Sequence, residues 1–289
     1  MAARSRSGGR RGTKARTPIR AERSGGTRRR DAGPPYTLAV DIGGTHIKAA
    51  VLDRVGRERT ARVDAPTPHP APPPAVIALL ASMARALPPF DRIAVGFPGV
   101  IDGGRVITAP NLGTGEWRGF ALAGALARRL GKPARVLNDA EVQGLGVIAG
   151  AGLECVLTLG TGFGSALYRD GELMPHLELG QHPAWQSKTY DRYVGAAALK
   201  AIGPARWNRR VQRAIGLVRT LLNFDRLYLG GGNAARIDFE LPPDVTLVSN
   251  EAGITGGVRL WDARFDAFFA RAHRVPTSAP RRGGREPKK

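Results

Sequence analysis

A chain of 289 residues is long enough for one large domain or two of ordinary size, with a real core. Its formal net charge of +20 suggests a nucleic-acid binder until it is divided along the chain: residues 1–35 carry 11 Lys/Arg against Glu22 and Asp31, residues 271–289 carry 7 against Glu286, and the stretch between keeps only +5. The single cysteine, Cys155, excludes an internal disulfide and a multi-cysteine zinc site, and the longest plainly apolar run, AVIALLA at 75–81, is too short to span a bilayer.

Both ends are rich in Arg, Gly, Ser and Pro and poor in apolar residues, so burial cannot offset the entropy of ordering them. Residues 1–35 and 263–289 are expected to be disordered basic tails, either solvated or in contact with a polyanion. No apolar segment of signal-peptide length precedes residue 36, so a cytoplasmic location is expected, with neither a membrane nor a specific nucleic-acid partner.

From residue 36 strand-like and helix-like segments alternate, which predicts an α/β fold. The stretch YTLAVDIGGTHIKAAVLD places two short apolar runs, 36–40 and 47–52, around a Gly-Gly-Thr turn. Residues 65–74, APTPHPAPPP, read as a stiff linker before a helix over 75–87. A strand over 92–97 stops at Pro98 and Gly99, and helical spacing over 120–130 closes at Gly131, where a C-terminal cap belongs. The strand ARVLND, 134–139, delivers Asn138 and Asp139 at its C-terminal end, where ligands sit in open α/β sheets. A second hairpin, VLTLGTGFGSALYRDGEL at 156–173, aligns with the opening stretch at a constant offset of 117, matching Gly43 with Gly160, Ala49 with Ala166 and Asp53 with Asp170. Such self-similarity predicts two related halves, 36–137 and 138–262. A helix over 211–223, a strand over 226–229 and the turn GGGNAA at 230–235 follow.

Three Gly-rich turns thus follow strands: Gly43-Gly44-Thr45, Gly160-Thr161-Gly162-Phe163-Gly164 and Gly230-Gly231-Gly232. Glycine lets backbone N–H groups approach an anion, so each reads as a phosphate cradle or as a plain chain reversal; none has Walker or Rossmann spacing. Asp41 precedes the first turn. Phosphoryl transfer asks for a metal-holding acid, donors around the phosphate, and a carboxylate that orients and deprotonates the attacking hydroxyl. Asp139 suits that last role, ionised at neutral pH as an ordinary carboxylate, with Asn138 on a polyol hydroxyl; it suits equally the capping of the next helix. The stretch HLELGQHP, 176–183, gathers His176, Glu178, Gln181 and His182 as a sugar loop, a partial metal site or a polar surface loop. Lys188, Arg192, Arg209, Arg210 and Arg213 read as a polyanion path or as a solvated face.

Taken in order over residues 36–261, DIGGTHIKAAVLD, GFPGVIDGG, APNLGTGEWRG, LNDAEVQGLG, TLGTGFGSALYRDGEL, LELG, WNRRVQRAI, LYLGGGNA and NEAGITGG resemble the ROK family of sugar kinases, in the hexokinase/actin-like superfamily, and within it the polyphosphate glucokinases. The resemblance implies two RNase H-like halves around a cleft, a homodimer, and phosphoryl transfer from polyphosphate or ATP to the 6-hydroxyl of glucose. Another hexose such as mannose, or a non-catalytic sugar-binding regulator, is the alternative. It implies that Asp41, Gly43, Gly44, Thr45 and Lys48 form a first phosphate motif with Asp41 near Mg²⁺, and that Gly160, Thr161, Gly162 and Gly164 form a second. Gly230, Gly231 and Gly232 correspond to the motif that receives adenosine in ATP-using members. Asn111, Asn138, Asp139 and Glu178 correspond to the sugar-contacting set, joined by His182, with Asp139 as general base. Members usually carry His directly after the Glu-x-Gly of the sugar loop; here Gln181 precedes His182, which leaves the sugar preference open. The Cys-rich zinc motif of many members is missing, so no zinc is expected.

Overall fold

The structure, a computed structural model, describes residues 31–249 and 252–272. The first half is a five-stranded sheet of order β3-β2-β1-β4-β7. Its strands are β1 (Thr37–Ile42), β2 (His46–Leu52), β3 (Val63–Pro66), β4 (Arg92–Phe97) and β7 (Ala134–Asn138), with a small hairpin, β5 (Ile101–Asp102) and β6 (Arg105–Val106), outside it. Helix α1 (Pro73–Arg85) starts on prolines, whose missing N–H groups cost nothing in a first turn. A single turn, α2 (Thr114–Trp117), buries Trp117, whose indole N–H donates to the Ala71 carbonyl at 2.8 Å. Helix α3 (Leu122–Leu130) ends at Gly131 in the left-handed conformation, where the sequence put its cap.

The second half repeats the plan. Strands β8 (Leu153–Leu159), β9 (Phe163–Arg169) and β10 (Glu172–Leu173) form an antiparallel meander, and β13 (Arg226–Gly230) and β14 (Val245–Leu247) add in parallel, giving the order β10-β9-β8-β13-β14. The hairpin β11 (Pro183–Trp185) and β12 (Lys188–Thr189) leads into α5 (Tyr190–Val194), α6 (Ala196–Ile202) and α7 (Pro204–Leu222). The offset of 117 seen in the sequence carries β2 onto β9 and the end of β1 onto the end of β8. The pairing differs by one residue, however: Ile42 faces Ile47 across the first turn, whereas Leu159 faces Phe163 across the second. The second Gly turn is the tighter one.

Between the sheets runs α4 (Asp139–Leu145). Every residue from Ala140 to Leu145 is buried, as expected of a helix covered on all sides. Ala140, Val142 and Leu145 share a core with Ala94 and Leu137 of the first sheet and with Val156, Ala166 and Tyr168 of the second. This helix fixes how the two halves face each other.

Several boundaries depart from the sequence reading. Strand β3 takes the first two residues of the expected linker, because Ala65 and Pro66 pair with Ile47 and His46. Helix α7 starts at Pro204 rather than at 211, since Trp207 is buried and donates to the Val194 carbonyl at 2.7 Å. Residues 31–35 of the expected tail join the fold: the Ala32 N–H donates to the buried Asp53 carboxylate at 2.9 Å. Residues 263–272 also depart from the tail reading. They form a 3₁₀ turn and the helix α9 (Asp266–Ala272), held by burial of Phe265 and Phe269 beside Leu137 and Leu260. The remaining tail residues, 1–30 and 273–289, lie outside the described residues. The linear division into 36–137 and 138–262 is crossed as well. Helix α8 (Ala252–Thr255) and the turn after it return to the first sheet, packing Ile254 and Val258 on Ala39, Ala50 and Leu52. No helix among the described residues is long and apolar enough to cross a membrane.

Candidate active site

The C-terminal ends of β1, β4, β7, β8 and β13 open on two adjoining cavities. The first is lined by Gly43, Gly44 and Asn111 from one half, Gly160 to Gly164 and Glu178 from the other, and Asn138 and Asp139 at the base. The second is lined by Asp41, Lys48, Arg62, Gln143, Gly231, Gly232, Gly253 and Ile254. Gly43, Asp139, Thr158 and Gly160 line both. Asp139 therefore stands in the partition between a cavity rich in polar side chains and one built from glycines, two cations and an acid.

Local chemistry places Asp139 there. Asn138, not Asp139, is the N-cap of α4: its side-chain oxygen accepts from the Ala140 N–H at 2.9 Å, and the Glu141 carboxylate returns to the Asn138 N–H at 3.0 Å, a capping box. The Asn138 amide donates to the Gly99 carbonyl at 3.2 Å. Asn138 lines the first cavity; its carboxamide bonds to the chain through its oxygen and one N–H, and its remaining N–H and lone pair are what it can offer a ligand there. Asp139, one residue on, accepts from the Ala140 N–H through one oxygen at 2.9 Å and lines both cavities.

Its electrostatics also differ from the sequence expectation of an ordinary carboxylate. Burial, then the negative charge of Asp41, push the Asp139 carboxyl up to about 7, with Glu178 and Glu141 adding to the same effect and the Ala140 N–H opposing it. Asp41 is itself held above its ordinary value by burial, moderated by Lys48 and Arg62. Neighbouring carboxylates with a raised proton affinity at a cleft are a mark of a functional centre.

The glycines of the turns divide by role. Gly231 has φ of 87°, and a Cβ there would strike the Leu159 backbone, so the fold itself demands glycine. A Cβ on Gly160 would meet nothing within 4 Å, and its φ is not left-handed. The bare backbone at Gly160 serves the space it borders, which is both cavities.

Three expected residues stand elsewhere. Thr45 lines neither cavity; its carbonyl accepts from the Thr67 N–H at 2.9 Å. Gly230 ends β13 and makes room for the Gln143 side chain, which reaches the second cavity in its place. His182 is outside both, its ring 6.5 Å from that of Tyr190, and Gln181 occupies the loop position on the first cavity. Gln181 donates to Asp191 at 2.6 Å, and the same carboxylate accepts from the Phe163 N–H at 2.6 Å, tying the loop to the second Gly turn. Asp191, Arg62, Gln143 and Gly253 were not singled out from sequence, for they join the site through β3, α4, α5 and the returning C-terminal segment. The basic set Lys188, Arg192, Arg209, Arg210 and Arg213 lines neither cavity; Arg213 lies over the Trp185 ring at 3.9 Å and Arg210 donates to the Tyr193 carbonyl at 3.2 Å.

Among the described residues no group of three or more His, Cys, Asp or Glu is arranged to hold a metal ion. Asp41 nonetheless suits Mg²⁺, which takes one or two protein carboxylates and fills its remaining positions with water and phosphate oxygens. Its partly buried carboxylate lines the second cavity beside a second acid and with two cations that would meet phosphate.

Residues 37–178 match the model of the ROK family. A polyphosphate glucokinase of Mycobacterium leprae is 31% identical over 235 residues, covering 76% of this chain and 72% of that protein. The chain belongs to the ROK family. Among solved structures, an inorganic polyphosphate/ATP-glucomannokinase from Arthrobacter sp. strain KM superimposes with a TM-score of 0.72 at 31% identity, covering 78% of this chain and 98% of that one. A ROK glucokinase from Streptomyces griseus, solved with glucose and AMPPNP, shares the fold with a TM-score of 0.63 at 21% identity, covering 78% and 98%. The mixed sheets and their repeat fit the actin-like fold of these ROK proteins.

Proposed function

We propose that this ROK-family protein is a sugar kinase that transfers a phosphoryl group to the 6-hydroxyl of glucose or a close hexose. The observation that carries the reading is Asp139 in the wall common to two cavities, with polar side chains on one side and glycines, Lys48 and Arg62 on the other. The first cavity takes the acceptor, with Asn111, Glu178 and Gln181 toward its hydroxyls. The second takes the donor, whose phosphates meet the backbone N–H groups of the Gly turns and the two cations. Asp139 accepts the proton of the attacking hydroxyl. Its raised pKa of about 7 makes it a stronger base than a free carboxylate while leaving a large ionised fraction at neutral pH. Mg²⁺ held at Asp41 supplies positive charge to the donor phosphates.

The donor is polyphosphate, ATP or both; the names of the Mycobacterium and Arthrobacter relatives support polyphosphate first. The name of the Arthrobacter protein also favours mannose as a second acceptor. Initial rates with glucose, mannose and other hexoses, each against ATP and polyphosphate with Mg²⁺, test the reading. Hexose 6-phosphate formed with at least one donor is expected, and its complete absence with both would refute the proposal.

A further inference from the structure

His176 has no part in the account above, yet it sits at the join between the buried framework and the acceptor cavity. Its Nδ1 is 2.9 Å from Glu141 Oε1, and its Nε2 is 3.6 Å from Glu178 Oε2. That Nε2 is buried and makes no hydrogen bond. Glu141 is the rigid end: it is buried within α4, and its other oxygen is already held by the Asn138 N–H of the capping box. Glu178 is the working end, a partly exposed carboxylate on the loop before the 3₁₀ turn Leu179–Gln181, facing the first cavity. A charge buried as deeply as Glu141 requires a partner of opposite sign, and an imidazole between two carboxylates is held in its doubly protonated form.

We propose that His176 is a positioning residue for the acceptor: its imidazolium couples the Glu178 carboxylate to the fixed Glu141 carboxylate and so sets the orientation in which Glu178 meets the sugar. The proposal rests on the sugar-kinase reading of the first cavity. It assigns to the loop before Glu178 a support that reaches back to the same helix turn that carries Asp139. Acceptor binding then depends on a proton that takes no part in the chemistry.

The groups facing His176 are Glu141 from α4 and Glu178 from its own loop, with Asp139 on the first turn of α4 and Tyr168, from β9, donating its hydroxyl to the Glu141 carbonyl. Burial opposes the charged imidazole, but the hydrogen bond to Glu141 and the close charges of both carboxylates outweigh it and hold His176 up at about 9. Asp139 titrates at about 7 and burial holds the Tyr168 hydroxyl well above the ordinary tyrosine range, so among these groups His176 is the one that changes charge near pH 9.

The test combines a binding measurement with a direct view of the ring. Glucose dissociation constants are measured calorimetrically between pH 7 and 10 for wild type, His176→Ala and His176→Gln, and the His176 imidazole is titrated by NMR in wild type and in Glu178→Gln. Wild type should bind glucose more weakly above pH 9, and both His176 variants should bind roughly tenfold more weakly at pH 7, the scale of one charge-assisted hydrogen bond, without that alkaline loss. At saturating sugar their kcat should stay within about threefold of wild type, and His176→Gln, which can still donate to Glu141, should retain the wild-type melting behaviour better than His176→Ala. The His176 titration should move to lower pH in Glu178→Gln. Glucose affinity within twofold of wild type in both variants, an alkaline loss that persists without His176, or an unmoved imidazole titration overturns the proposal alone. A wild-type protein that binds no hexose overturns the sugar reading together with it.

Discussion

The carboxyl of Asp41 raises the proton affinity of Asp139: the two acids line the same cavity, and the charge of Asp41 is second only to burial in holding Asp139 at about 7. In the proposed mechanism, the acid that would hold Mg²⁺ thereby tunes the acid that would serve as base. If Asp139 is the general base, the pH profile of kcat/KM should fall on the acid side with an apparent pKa near 7 rather than near 4. Asp139→Asn should lower kcat by roughly 10²-fold or more with sugar affinity mostly kept. A near-wild-type rate in that variant would remove Asp139 from the role.

The same coupling predicts a shift in Asp41→Asn. With the neighbouring charge gone, the Asp139 carboxyl of the metal-free protein should titrate at lower pH, alongside a large loss of donor and Mg²⁺ use in assays. An NMR titration of that carboxyl between pH 4 and 9 without Mg²⁺ measures it. A titration that stays at its wild-type position would show that the two carboxyls do not interact.

Asp139 should also cost the fold stability. Its folded-state carboxyl titrates at about 7 and its unfolded one at 3.8, so the folded state holds the proton more tightly. Below pH 3.8 both states are protonated and the cost vanishes; it grows as pH rises and is complete above about 7. Asp139→Asn should therefore be more stable than wild type at pH 8, by about 2–4 kcal/mol at most, with the gap closing toward pH 4. Denaturant midpoints of the two proteins across that range provide the check, and a gap independent of pH would contradict it.

Two glycines should respond in opposite ways to alanine. Gly160→Ala should leave stability within about 0.5 kcal/mol, since the added methyl meets nothing, while weakening substrate use because it intrudes on the cavities. Gly231→Ala should destabilise the protein by more than about 1 kcal/mol, through its positive φ and the Leu159 backbone behind it. Thermal melts and KM values for both substrates separate the cases; equal destabilisation by the two changes would undo the distinction between a glycine kept for the ligand and one kept for the chain.

Much of this molecule was legible in the chain itself. Alternating apolar runs broken by Gly turns gave β1, β2, β8 and β9, because a strand-turn-strand unit is a local event fixed by residue type and period. The echo at 117 residues announced the second half, and Asp41, Asp139, Glu178 and most of the turn glycines stood in motifs short enough to be read directly. Strand β3, α9 and the early start of α7 were hidden, since each exists through partners remote in sequence: Ile47 for Ala65, Leu137 for Phe269, and Val194 for Trp207.

The sequence by itself determined the two Gly-turn hairpins, their duplication and the two acids singled out as central. Only the tertiary structure decided what those acids are. It packed α4 between the sheets, put Asp139 in the partition of two cavities beside Asp41, moved the capping role to Asn138, drew in Asp191, Arg62 and Gly253, and left Thr45 and His182 outside. Proton affinity and orientation depend on burial and on charges brought close from distant segments, and neither is written in the spacing of residues along one chain.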